Sequence, residues 1–154
     1  MTIYIGADHR GFELKEHLKA ILENDAYEVV DVGTDSATNG DDYPQFAAAV
    51  AEQVVKDPAT RRGIAICGSG FGVDIVANKF AGIRAALAMS PDHISQGRHD
   101  DDVNVLALAA DFIAPEDAEK IMKVFLVTSS ARDERYLRRE EEIREIEVRS
   151  KLGA

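Results

Sequence analysis

Short apolar runs alternate along this chain with longer stretches of helical period, the arrangement of a parallel sheet covered by helices. Five runs read as strands: Ile3–Ala7, Glu28–Val32, Ile64–Cys67, Arg84–Ala88 and Val103–Leu108. They are rich in Ile, Val, Ala and Leu without clean alternation, as strands buried on both faces are. Phe12, Leu14, Leu18, Ile21 and Leu22 give the i, i+3/i+4 stripe of a first helix. Pro44 suits the first turn of a second, whose stripe includes Phe46, Ala47, Val50, Val54 and Val55. A third is predicted from Phe71 or Gly72 through Asn78, Pro91 opens a fourth, and Pro115 with Glu116 and Asp117 a fifth. The sixth, Asp133 to Arg149, is highly charged, with Leu137, Ile143, Ile146 and Val148 as its few apolar contacts. Such a helix suits a partner or the border of a site, or else a solvated surface laced with ion pairs. With no repeat, low-complexity tract or linker, residues 1–154 read as one domain. The expected fold is a Rossmann-like three-layer α/β/α sandwich, a five-stranded parallel sheet with about six helices.

Composition narrows the function. At 45% hydrophobic and 30% charged residues the profile is globular. No apolar run approaches the ~20 residues of a membrane span, and the start of the chain lacks the pattern of a signal peptide. A single cysteine excludes an internal disulfide and a Cys-rich metal site, and it fits a reducing cytoplasm. The net charge of −10 argues against a nucleic-acid partner. It also requires any phosphorylated ligand to be held by a local anion site of clustered Arg and helix N-termini.

Three segments bring chemistry to the carboxyl ends of the predicted strands, where ligands bind in such a sheet: Asp8-His9-Arg10-Gly11, Cys67-Gly68-Ser69-Gly70-Phe71-Gly72, and Arg98-His99-Asp100-Asp101-Asp102. In the second, a strand ending in Cys67 passes through three glycines directly into a helix. Glycines there let backbone N–H groups approach a ligand oxygen. The same positive field suits a phosphate or a developing oxyanion and favours a thiolate at Cys67. A dinucleotide fingerprint fails because Val73 stands where glycine or alanine is required, and a Walker loop fails for want of its Lys. A tight turn with an inert buried Cys is the plainer alternative. Arg135 and Arg139, at i, i+4 on one helix, share a face and would make an anion clamp; a surface face paired with Glu142 or Glu145 is equally open.

Together these segments resemble the ribose-5-phosphate isomerase B family, which includes the galactose-6-phosphate isomerase subunits. The resemblance rests on Gly6-Ala7-Asp8-His9-Arg10-Gly11, Asp42-Tyr43-Pro44, Cys67 through Gly72, Ala77-Asn78-Lys79 with Gly82-Ile83-Arg84-Ala85, Asn104-Val105-Leu106, and Arg135 with Arg139. It implies aldose–ketose isomerisation of a small-molecule sugar phosphate through a cis-enediolate, ribose 5-phosphate to ribulose 5-phosphate foremost, with no metal and no organic cofactor. Cys67 matches the family's cysteine base, the branch that uses Glu at the position of Val73 being excluded. By the same resemblance Gly68, Gly70, Phe71 and Gly72 hold the enediolate oxygens and Ser69 assists proton transfer. Asp8 bonds sugar hydroxyls, Tyr43 packs on the sugar, and His9, Arg135 and Arg139 bind phosphate. For Asp8 and His9 a capped strand end, and for Tyr43 core packing, are the alternatives. Asn78 and Lys79 read as structural. The family's site lies between two subunits, the arginine-bearing helix reaching across, so a homodimer is implied, with tetramers open.

The match departs at two places. Counted back from Asn104-Val105-Leu106, the family's His-Asn pair, credited with opening the sugar ring, falls on Asp100 and Asp101, and an arginine used by some members for phosphate falls on Asp111. An ordinary Asp cannot donate the proton that ring opening needs. Three explanations stand: His99 takes the role, Asp100 is raised in pKa by Asp101 and Asp102 and acts as the acid, or the substrate needs no ring opening, as a tetrose 4-phosphate would not. Allose 6-phosphate and galactose 6-phosphate are further substrate candidates. Asp111 would repel phosphate if it pointed into the site; either Arg98 offsets it or the phosphate leans wholly on Arg135 and Arg139. The three successive Asp residues also invite a divalent-metal site, against which stands a solvated acidic turn. A nucleotide-binding Rossmann-like module and a non-catalytic paired subunit complete the alternatives.

Overall fold

The computed structural model describes residues 1–38 and 40–151, and it holds the five strands and six helices of the apolar pattern. In chain order these are β1 (Thr2–Ala7), α1 (Phe12–Asn24), β2 (Glu28–Asp31), α2 (Tyr43–Val54), β3 (Arg61–Cys67), α3 (Phe71–Ala77), β4 (Ala85–Leu87), α4 (Pro91–Asp101), β5 (Val105–Ala109), α5 (Pro115–Val127) and α6 (Glu134–Lys151). The sheet order is β2-β1-β3-β5-β4, every neighbouring pair parallel. Prolines open α2, α4 and α5 as expected. The Ser90 hydroxyl caps α4 by accepting the His93 N–H at 3.1 Å.

Successive strand residues point to opposite faces, and the two faces have separate cores. Ile3, Ile5, Ile64, Ile66, Leu106 and Leu108 pack with Leu14, Leu18, Ile94, Ile121 and Phe125, so α1, α4 and α5 cover one face. Ala65, Cys67, Val105 and Ala107 pack with Val50, Val54, Val73 and Ala77 of α2 and α3 on the other. No helix among the described residues is long and apolar enough to cross a membrane.

Several bounds differ from the sequence expectation. β3 starts at Arg61, three residues before Ile64, because Arg61 and Arg62 pair in register with Thr2 and Ile3. Their guanidinium groups leave the sheet to bond Gln53 O and Pro58 O. β5 starts at Val105 and reaches Ala109. Val103 and Asn104 belong to the approach, where the buried Asn104 side chain accepts the Arg84 N–H (2.9 Å) and donates to Gly82 O (2.8 Å). β2 and β4 are shorter than expected at Asp31 and at Ala85–Leu87, and α6 runs Glu134–Lys151. Asn78 caps α3 instead of continuing it, and its structural reading holds. Its amide donates to Ala85 O (3.0 Å) and accepts the Ala85 N–H (2.9 Å), while Asp74 accepts the Leu87 N–H. Burial pushes the Asp74 carboxyl above its ordinary range, the Leu87 bond opposing in part.

Candidate active site

In this strand order the chain leaves β1 toward β2 on one side and reaches β3 on the other. A crevice therefore opens outside the carboxyl ends of β1 and β3, where ligands of open α/β sheets bind. The loop after β1 is shaped by Asp8, a buried residue whose Oδ1 accepts the N–H groups of Arg10 (3.1 Å) and Gly11 (3.0 Å). Asp41 takes both the N–H (2.8 Å) and Nδ1 (2.9 Å) of His9. Burial pushes the Asp41 carboxyl up, but hydrogen bonds from Thr34 and from the backbone and ring of His9 outweigh it, leaving the group below its ordinary value. A capped turn and a ligand-facing His9 are thus compatible, because Nδ1 is engaged and Nε2 meets no partner among the described residues.

The loop after β3 is built on glycine for two separate reasons. Gly70 has φ +75°, and a Cβ there would lie 2.5 Å from Leu87. A Cβ at Gly68 would displace the Arg10 and Asp111 side-chain ends that lie over it. Among the described residues, no backbone acceptor meets the N–H groups of Ser69, Gly70 or Phe71. Cys67 is 4% exposed and stands at the end of β3 against α2 and α3. The Tyr43 ring lies against Gly72, whose Cβ would fall 2.5 Å from it, and remains 39% exposed. So Asp8, His9, Tyr43, Cys67, Ser69, Gly68, Gly70, Phe71 and Gly72 gather at one end of the sheet.

The remaining candidates lie elsewhere. Gly63 pairs with Val105 and Cys67 with Ala109, so α4, which ends just before β5, finishes at the amino ends of the strands. That is about 13 Å along the strands from Cys67, and on the opposite face. His99, Asp100, Arg135 and Arg139 form a second group there. His99 Nδ1 lies 2.7 Å from Asp100 Oδ1, and its ring meets Tyr136 edge-on at 5.4 Å. Arg135 donates to the Tyr136 hydroxyl (2.5 Å), and both arginines lie near its ring face, at 4.6 and 5.9 Å. His99, Asp100 and Tyr136 border a cavity of about 470 Å³. Asp101 parts from them and lines a different cavity, of about 580 Å³, between β4, α4 and α6.

Three expectations are corrected here. Asp100 is not a raised acid: hydrogen bonds from His99, then Gln96, hold its carboxyl below the ordinary range. Its acidic neighbour Asp102 is neutralised by Arg84 (2.8 Å) and Arg98 (2.6 Å), and no metal-binding cluster of His, Cys, Asp or Glu occurs among the described residues. Arg98 does not offset Asp111. It is buried on Asp102, Val103 O and Thr128 O, and Arg10 pairs with Asp111 instead. Glu142 pairs with Arg138, and among the described residues no ion pair joins Arg135 or Arg139 to Glu142 or Glu145. Tyr136 and Asp41 lie outside the segments that the sequence singles out, and Arg10 lies within one without an expected role. Tyr136, the aromatic between two arginines of the clamp, was the one legible signal.

The chain is similar to known proteins over most of its length. Ribose-5-phosphate isomerase B of Escherichia coli is 41% identical over 124 residues, covering 80% of this chain and 82% of the relative. That of Mycobacterium tuberculosis is 34% identical over 139 residues, 90% and 85%. The structure of ribose-5-phosphate isomerase B from Mycoplasma genitalium with bound ribulose 5-phosphate superposes with a TM-score of 0.90 at 37% identity, covering 95% of each chain. The Clostridium thermocellum enzyme gives 0.91 at 37% identity, covering 97% and 99%. The sequence profile of the Ribose/Galactose Isomerase family matches residues 3–143, and the chain belongs to that family.

Proposed function

We propose that this protein isomerises ribose 5-phosphate to ribulose 5-phosphate, with Cys67 as base. The observation that carries the reading is that Cys67 heads a glycine loop at the β1/β3 crevice whose Ser69, Gly70 and Phe71 N–H groups meet no backbone acceptor among the described residues. Cys67 Sγ takes the proton from C2, and the electron pair moves onto the carbonyl oxygen at C1 as the enediolate forms. Preorganised donors placed where that charge develops lower the barrier most. Sγ then returns the proton to C1, while the Ser69 hydroxyl relays a proton between the two sugar oxygens. Asp8 orients hydroxyls, and Tyr43 covers the sugar beside Gly72.

Ring opening falls to His99 with Asp100 as its partner. The pair supplies an imidazole at one residue's remove from the expected position, which favours a furanose substrate over a tetrose phosphate. His99, Arg135 and Arg139 cannot reach Cys67 of their own chain, being at the other end and face of the sheet. We infer a homodimer in which each chain lends this group to the other's Cys67. Neither a nucleotide nor a partner of a different chain is required by this arrangement.

The test is a panel of aldose phosphates, ribose, allose, galactose and erythrose, followed for ketose formation by the purified protein with Cys67→Ala beside it. Ribose 5-phosphate should be turned over fastest, and the variant should lose about 10³-fold in kcat, within the range for removal of a general base. Full rate in Cys67→Ala would assign the base elsewhere.

A further inference from the structure

Arg10 and Asp111 form an ion pair that joins the loop after β1 to the loop after β5. It lies over Gly68, the residue next to Cys67: a Cβ there would run into the Arg10 guanidinium and stand 2.7 Å from Asp111 Oδ2. Asp111 is anchored from behind, its own N–H donating to Gly68 O at 3.0 Å. Arg10 is 55% exposed. Of the five donors of a guanidinium, only those on Nη2 meet an acceptor among the described residues. The nearby lysines, Lys15 and Lys19, are already committed to Asp31 and Glu16, and His9 meets Asp41 through Nδ1.

We propose that Arg10 binds the substrate's phosphate oxygens at the rim of the site, and that Asp111 is the positioning residue holding it over the loop. The inference rests on the isomerase reading above and adds two residues to it. In a chain of charge −10, a dianion reaches Cys67 only if a local cation offsets the field. A guanidinium already fixed by one edge loses little freedom on binding and keeps its remaining donors for phosphate oxygens. Because Arg10 stands at the exposed rim and not beside the reacting carbons, it acts on ground and transition states alike. Its effect should appear in KM and leave kcat nearly untouched. The pair is interdependent: without Arg10, Asp111 is a bare carboxylate at the mouth and repels phosphate.

The experiment measures ribose 5-phosphate kinetics and competitive inhibition by inorganic phosphate for the wild type, Arg10→Ala, Arg10→Gln and Arg10→Ala/Asp111→Asn. We expect either single change to raise KM and the phosphate inhibition constant about tenfold, with kcat within about twofold. The double variant should recover only part of that loss, because removing the Asp111 charge relieves repulsion and does not restore the Arg10 donors. Arg10→Gln keeps the bulk over Gly68 and answers the question if Arg10→Ala does not fold. Unchanged KM and inhibition, a fall in kcat alone, or a double variant restored to the wild-type KM overturns the proposal. If the wild type does not turn over ribose 5-phosphate, the isomerase reading fails separately. Thermal stabilisation by inorganic phosphate, present in the wild type and lost in Arg10→Gln, then decides for Arg10, and equal stabilisation of both decides against it.

Discussion

Nδ1 of His99 stands 2.7 Å from Oδ1 of Asp100, while the Tyr136 ring closes on the same imidazole from the side. With Nδ1 engaged by a carboxylate that Gln96 also holds at 2.5 Å, Nε2 is the nitrogen left for a sugar ring oxygen. His99→Asn should therefore reduce turnover of ribose 5-phosphate by about 10²-fold and spare erythrose 4-phosphate, which has no ring to open. The ratio of the two rates is the measurement. An equal loss on both would remove His99 from ring opening. Asp100→Asn keeps the shape but weakens the orientation, and about tenfold is expected on the ribose ester alone.

The proposed sharing of each site between two chains predicts complementation. Cys67→Ala and His99→Asn should each be nearly inactive as pure dimers. Unfolded together and refolded at equal ratio, half of the dimers are mixed, and each of these holds one intact site of two, so about a quarter of wild-type activity should return. No recovery, with mixed dimers confirmed by mass, would mean that Cys67 and His99 do not share a site across chains.

Gly70→Ala strains the loop twice, by a positive φ and by contact with Leu87. The expected cost is about 2 kcal/mol in urea unfolding, with a loss of kcat because the Ser69 and Phe71 amides move. Retained stability and rate would show that the loop tolerates another path.

Lys15 is buried, its side chain 2% exposed, and its ammonium is held by Asp31 and Glu16. Burial pushes the Asp31 carboxyl up, but hydrogen bonds from Lys15, the Gly33 N–H and Lys19 bring it below its usual 3.8. The unfolded chain thus binds this proton more readily. The contribution to stability is complete above pH 3.8 and is lost as pH falls through the lower folded value. Asp31→Asn should cost about 2 kcal/mol at pH 7, less than a fully orphaned buried charge because Glu16 remains. It should also flatten the acid limb of stability against pH. A parallel acid limb in the variant would rule this pairing out as its source.

The strands and helices were legible because apolar spacing reports burial directly, and the glycine loop because few residue types fit its turn. β3 was read short since Arg61 and Arg62 look like surface residues. They occupy strand positions only because their long stems carry the charge off the sheet to Gln53 O and Pro58 O. The Cys67 end of the site was readable as a local motif. The Arg10–Asp111 pair joins positions 101 apart, and His99 meets Tyr136 across two helices. Neither relation leaves a trace in spacing, and Asp100 was misjudged because its charge is governed by a neighbouring imidazole instead of by the acidic run.

β4 ends the sheet, and its outward-facing groups at Ala85 and Leu87 are taken by the side chains of Asn78 and Asp74. A helix thus supplies, through two side chains, what a sixth strand would have supplied through its backbone. An extended segment from another molecule arriving at that margin finds its first acceptor and donors occupied, and must evict groups rooted in α3 before one new bond forms. The sheet resists templating its own extension even though β4 is only three residues long and carries no charge.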